Sequence, residues 1–294
     1  MWFFYSLLAL TLLVTRRGSE KSLADKIPST AMALLQQLTA LPFMAMMLPF
    51  AVWFSPFTLD VQVVILLLLH AVLTTSHLFI YYKAVQVGDI SIIAPLISLT
   101  AGTSILGAYI FLDQPPTLTG LTGALLILVG AYMASKTKRT SMTAINNRLA
   151  VILTVIDVFL LGFYTPVEVT IIRKTNVVYF NFVSSVLAVT LIYLMILLWQ
   201  NKTKTKILTK KVYKTLSINK VVLLFIGFSM AFNMYFTYSA KSLAPNAGYV
   251  TAIKSVQILP LMLIGVFAFK EKVTRRQWVG ALILLFGLFV LTWV

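Results

Sequence analysis

Apolar residues along this chain fall into ten long runs separated by short polar connections. The runs cover roughly 2–15, 29–54, 61–82, 90–112, 118–135, 150–172, 177–199, 221–240, 247–269 and 277–294. Most approach the ~20 residues a helix needs to cross a hydrocarbon core. Within them the apolar residues are continuous rather than alternating with polar ones, which excludes the strands of a membrane barrel. A backbone in lipid has to satisfy its own hydrogen bonds, so the runs predict helices. The expected fold is an all-α integral membrane protein with ten transmembrane helices. The first run is short; either its helix continues past Arg16 and Arg17 or the span is incomplete. No basic residue precedes it and no small-residue cleavage site is evident, so it reads as a membrane helix rather than a cleavable leader.

The two halves of the chain repeat each other. At a constant offset of 157 residues, Gly123 and Gly130 fall on Gly280 and Gly287, and Phe79 on Phe236. In the same register Tyr81 falls on Tyr238, Ser98 on Ser255 and Thr117 on Thr274. Two five-helix repeats follow, 1–137 and 149–294. Five is an odd number, so the second copy enters the membrane from the opposite side and the repeats are inverted. Inverted repeats mark carriers that alternate about a site near the midplane.

Composition adds two things. Of the 294 residues, 60% are hydrophobic and 11% charged, where soluble domains carry about 45–50% and about 25%. Ten spans and their connections use the whole length and leave no room for a soluble catalytic domain. The net charge of +16 would suggest nucleic acid in a soluble protein. Here its distribution matters more. Twenty of the 24 Lys and Arg residues lie in odd-numbered connections and three in even-numbered ones. By the positive-inside rule the odd connections face the cytoplasm and both termini lie outside. The basic stretch from Lys202 to Lys220 carries Leu208, Val212 and Leu216 at helical spacing. It is a candidate for contact with anionic lipid, against a solvated loop as the alternative. The absence of cysteine excludes disulfides and thiolate chemistry.

Candidate chemistry sits on a few residues. Lys254 lies about eight residues inside the ninth span, with Gln257 three residues on and on the same face. An ionisable group at such depth faces a cavity or a partner; the readings are a cationic contact for an acidic substrate group or a packing ion pair. The deep acids are Asp157 and Glu168, eleven residues apart on the sixth span and so near one face. Both are candidates for proton coupling or ion pairing, and Asp157 is near enough in depth to Lys254 for the two to pair. His70, Thr74, His77 and Tyr81 follow steps of four, three and four on the third span, one face of one helix. His77 and Tyr81 are candidate substrate or proton contacts, with hydrogen bonding between helices as the bland alternative. Asn233, Thr237 and Lys241 share a face of the eighth span in the same way. No metal or other cofactor is expected, because the two histidines have no third and no Cys to join them. Pro42, Pro49, Pro95, Pro166 and Pro260 each interrupt a helical ladder.

The stretches Tyr81-Tyr82-Lys83-Ala84 and Ile90-Ser91-Ile92-Ile93-Ala94-Pro95, followed by Gly123 and Gly130, resemble an EamA-type repeat of the drug/metabolite transporter superfamily. The second copy runs through Tyr238-Ser239-Ala240-Lys241 and Tyr249-Val250-Thr251-Ala252 to Gly280 and Gly287. An acidic turn before the last helix is matched by Glu271 and weakened to Asp113-Gln114 in the first copy. The resemblance implies a ten-helix carrier whose central cavity is lined by the first, third, fourth, sixth, eighth and ninth helices. His77, Tyr81, Asp157, Asn233, Lys254 and Gln257 all fall on those helices. It also implies cytoplasmic termini, the opposite of the charge count. The expected function is secondary active transport of a small polar or amphipathic metabolite, driven by protons or exchange because no nucleotide-binding loop is present. The alternatives are a flippase for a lipid-linked head group, a membrane-embedded lipid enzyme and a non-transporting scaffold. The expected setting is the plasma membrane of a prokaryote, as monomer or homodimer, with no nucleic-acid partner.

Overall fold

The computed structural model of the chain describes all residues except 25–28, 55–59, 88–92, 94–95, 136–143, 204–218, 261 and 264–273. Ten helices make up the described fold. The first five are α1 (Trp2–Ala24), α2 (Ser29–Phe54), α3 (Val61–Val87), α4 (Thr100–Leu112) and α5 (Leu118–Ser135). The second five are α6 (Ala144–Lys174), α7 (Val177–Thr203), α8 (Lys220–Leu243), α9 (Gly248–Ser255) and α10 (Arg275–Leu291). Five helices, α2, α3, α6, α7 and α8, are long and apolar enough to cross a bilayer; α4 and α5 contain shorter apolar stretches.

The outer surface is apolar, unlike that of a soluble protein, and the mainly apolar interior also holds polar groups. Large apolar side chains such as Leu68, Ile110, Phe159, Leu198 and Phe286 stand on the outer surface, while His70, Asp157, Glu168, Asn233 and Lys241 are buried. A surface of this kind is covered by lipid tails, and the interior is where polar groups find partners. The chain is an integral membrane protein.

Contacts between helices obey the repeat. Exchanging the repeats maps the α1–α8 contact onto α6–α3, α1–α9 onto α6–α4, and α2–α8 onto α7–α3, and all six pairs touch. The pairs α2–α7, α4–α9 and α5–α10 map onto themselves and touch as well. Most of the helix packing therefore joins one repeat to the other. The inversion is visible at α5–α10, where a Cβ on Gly123 would stand 3.0 Å from the Gly287 carbonyl and one on Gly130 2.6 Å from that of Gly280. The earlier glycine of one helix meets the later glycine of the other, so the two helices are antiparallel. Without Cβ atoms the backbones come into direct contact, as small residues allow in lipid.

Several expectations are adjusted. The first helix does continue past Arg16 and Arg17, to Ala24. Pro42, Pro49 and Pro166 lie within unbroken helices α2 and α6, whereas Pro95, Glu271 and most of the basic stretch 202–220 lie outside the described residues. The ninth span is broken. After Ser255 the amides of Val256, Gln257 and Leu259 donate to carbonyls three residues back. Pro260 explains this, since it has no N–H to bond four residues back and its ring crowds that carbonyl. The first acidic turn is ordered: Asp113 takes a left-handed conformation (φ 52°) at the end of α4. The next residue docks on the second repeat, with Gln114 Oε1 accepting the Ala247 N–H at 3.0 Å.

Candidate functional site

The polar stripe of α3 meets the acids of α6, across the boundary between the repeats. His77 Nδ1 lies 2.7 Å from Asp157 Oδ1, with Asp157 buried and the His77 side chain 26% exposed. That distance is within hydrogen-bond length, and the contact ties α3 of one repeat to α6 of the other. The Tyr81 ring stacks on His77 at 6.1 Å. One turn nearer the start of α3, the Thr74 hydroxyl back-bonds to the His70 carbonyl at 2.8 Å and lies 3.3 Å from Tyr164 Oη. The His70 ring then stacks on Tyr164 with centroids 4.6 Å apart and meets the edge of Phe180.

At the far end of this column is Glu168. One of its oxygens accepts the Lys241 ammonium in a close, buried ion pair. The other stands 3.8 Å from His70 Nε2, beyond hydrogen-bond length. Lys241 also donates to Thr165 Oγ1 at 3.3 Å, and Thr165 donates to Ser104 on α4. Asp157 and Glu168 are eleven residues apart on α6, about 16 Å by helix rise. The seam therefore carries two ionisable stations at different depths, with Tyr164 and Thr74 between them. Among the described residues no three metal-ligating side chains converge.

Each candidate from the sequence has a definite place. His77, Asp157 and Tyr81 come together, and Glu168 lies on the same seam with His70. The pairing of Asp157 with Lys254 does not form, because His77 takes the carboxylate. Lys254 is in the last turn of α9 and pairs with no carboxylate among the described residues; the charges acting on it are Lys241, Glu168, Arg16 and Arg17. Gln257 sits in the turn after α9, and its Oε1 is buried with no hydrogen bond among the described residues. Asn233 is not beside them: it donates to the Ala9 carbonyl and ties α8 to α1.

Lys241, at the hydropathy boundary of the eighth span and on the face of Asn233 and Thr237, is inside α8 and buried. Tyr164 went unnoticed in the sequence, although it stands seven residues after Asp157 and four before Glu168, the helical step joining the two acids. Gln37, Ser184 and Ser185 also escaped notice. Their only signal is that they are polar in otherwise apolar spans. With His70, Thr74 and Tyr164 they line a small cavity whose remaining wall is Ala188, Met234 and Tyr238. The space open to a water's centre is about 10 Å³, room for about one water molecule.

A ten-helix bundle with inverted repeats and a buried polar seam between them has the organisation of a membrane carrier. The EamA-like transporter family model matches residues 2–136 and again 148–293. The chain belongs to that family, among the drug/metabolite transporters. A solved crystal structure of a protein is similar over 99% of this chain and 96% of its own, with a TM-score of 0.72 and 13% identity. At that identity the likeness concerns the fold alone. No curated protein sequence matches this chain.

Proposed function

We propose that this protein is a secondary active transporter that moves a small polar or amphipathic solute across a prokaryotic plasma membrane. The two repeats rock against each other and expose a central site to one side at a time. Protons drive the cycle through the Asp157–His77 pair, with Glu168 as a second ionisable station. The observation that carries this reading is the seam between α3 and α6, where buried titratable side chains from opposite repeats face each other. A group that exchanges a proton has to reach water at some stage. Separating two repeats along a polar seam lets water reach it, which separating apolar faces would not favour.

The protein has no cysteine of its own, so a single Gln257→Cys substitution gives a clean accessibility probe. The full chain is placed in sealed vesicles, and a membrane-impermeant thiol reagent is applied to each face separately. Alternating access predicts labelling from both faces, with the balance shifted by a pH gradient and that shift lost in Asp157→Asn. Labelling from one face under every condition would overturn the carrier reading.

A further inference from the structure

The cavity beside His70 is made by both repeats. Gln37 of α2 and His70 and Thr74 of α3 come from the first, and Tyr164, Ser184 and Ser185 come from the second. Gln37 is 6% exposed and His70 2%. Yet Gln37 Oε1 and both His70 ring nitrogens lack a hydrogen-bond partner among the described residues. Leaving buried polar atoms unpaired is costly, and the cost is recovered when a ligand supplies the missing groups. The unmet positions are specific. Gln37 Oε1 can only accept, so the ligand brings an N–H or O–H. An imidazole in its neutral form offers one donor and one acceptor; Nε2 stands 3.8 Å from Glu168 Oε1, and Nδ1 has no such neighbour.

Charge narrows the class further. Glu168 lies behind His70 and is neutralised by Lys241, and neither residue is part of the cavity wall. No residue of the wall carries a permanent charge, so a charged solute entering this space would carry most of its desolvation penalty. Ala188, Met234 and the rings of Tyr164 and Tyr238 supply the rest of the wall, which suits an apolar or aromatic body. We infer that this cavity is a solute subsite for an uncharged amphipathic compound bearing a hydrogen-bonding edge, of which an aromatic carboxamide is the simplest form. The inference rests on the carrier reading in one respect: the cavity holds about one water as it stands and admits a solute when the repeats part.

Nicotinamide and nicotinate make a suitable pair of probes, nearly the same shape but neutral and anionic. Their binding to the purified full-length protein in detergent is measured by equilibrium dialysis with radiolabel. The expected result is saturable nicotinamide binding, at least tenfold tighter than nicotinate. Gln37→Leu and His70→Phe should each weaken it by about tenfold, the value of one lost hydrogen bond in a buried site. His70→Phe preserves a ring against Tyr164 and keeps the test open if Gln37→Leu fails to fold. Equal or tighter binding of nicotinate, unchanged affinity in folded variants, or no saturable binding would each overturn the inference, the last meaning a water-filled gap only. Gln257→Cys labelling on the same preparation separates the two proposals. Two-sided labelling without nicotinamide binding removes this inference alone, and binding with strictly one-sided labelling removes the carrier reading instead.

Discussion

Glu168→Gln is the most informative single change in the seam. It removes a charge but almost no volume, so packing is preserved and the effect is electrostatic. The side chains of Glu168 and Lys241 are 2% and 7% exposed, so the ammonium left behind could not reach water. Thr165 Oγ1 at 3.3 Å still accepts one of its protons, but a hydroxyl does not balance a charge. Breaking a buried pair from one side costs about 3–5 kcal/mol, which is a large share of a typical stability of about 5–15 kcal/mol. Removing both charges, as in Glu168→Gln with Lys241→Met, leaves no orphan and should bring stability back to within about 1–2 kcal/mol of the parent. The assay is equilibrium unfolding in mixed micelles for the parent, both single variants and the double variant. A coupling energy of roughly 2 kcal/mol or more is expected from the cycle. Additive effects, or a Glu168→Gln variant as stable as the parent, would refute the argument that this pair is desolvated and mutually dependent.

Two further predictions concern other parts of the molecule. At Gly130 an added Cβ would lie 2.5 Å from the Leu284 backbone nitrogen, whereas at Gly102 its nearest neighbour is Leu128 Cδ1 at 3.9 Å. Gly130→Ala should therefore destabilise by about 1–3 kcal/mol through overpacking, while Gly102→Ala should be neutral or stabilise by up to about 1 kcal/mol, both read from unfolding midpoints. At the start of α3, Asp60 Oδ1 accepts the Val63 N–H at 2.6 Å. That bond first, and Lys174 at 3.5 Å second, hold the Asp60 carboxyl below its ordinary range. A lowered folded pKa means that the stabilisation is present above the ordinary aspartate value and lost as pH falls through the folded one. Asp60→Asn should lower stability in the neutral region and flatten the acid limb of a stability–pH profile, the two proteins converging as pH falls through the folded value.

The sequence made some of this legible and hid the rest for physical reasons. The face shared by His70, Thr74, His77 and Tyr81 could be read because helical periodicity alone determines it. The same holds for the glycine pairs, whose shared offset already places them on equivalent helices. Which acid meets which base could not be read that way. A span boundary uncertain by three residues moves a side chain about 4.5 Å in depth, enough to make Asp157 seem reachable from Lys254. The choice of partner is made by helix packing between repeats, which brings α3 rather than α9 against Asp157. For Lys241 the helix face was legible and the burial was not. A lysine at the end of an apolar run lowers local hydropathy, so the run ends before it, even though its charge is buried against Glu168. Tyr164 counts as a mildly apolar residue in a hydropathy profile. Only its step from the two acids marks it.

The two kinds of contact between the repeats differ in what parting them would cost, and this bears on where the motion occurs. At α5–α10 the backbones touch through Gly123, Gly130, Gly280 and Gly287. Separating them forfeits close packing, and water gains nothing to hydrate. Along α3–α6, separation exposes His77, Asp157, His70 and Tyr164, which water can satisfy. On that argument the proposed cycle would keep α5–α10 closed and open α3–α6. Cross-links test it, because the chain has no cysteine of its own. The Cβ atoms of a Gly130→Cys and Leu284→Cys pair would stand 2.7 Å apart, so parting by about 1 Å reaches the ~3.8 Å of a disulfide. Oxidising that pair before the label is applied should leave two-sided labelling of Gln257→Cys intact, read by mass. A thiol-specific bifunctional linker joining His77→Cys to Asp157→Cys should instead confine the protein to one face. Loss of two-sided access from the α5–α10 link, or its survival when α3 is tied to α6, would locate the moving seam elsewhere.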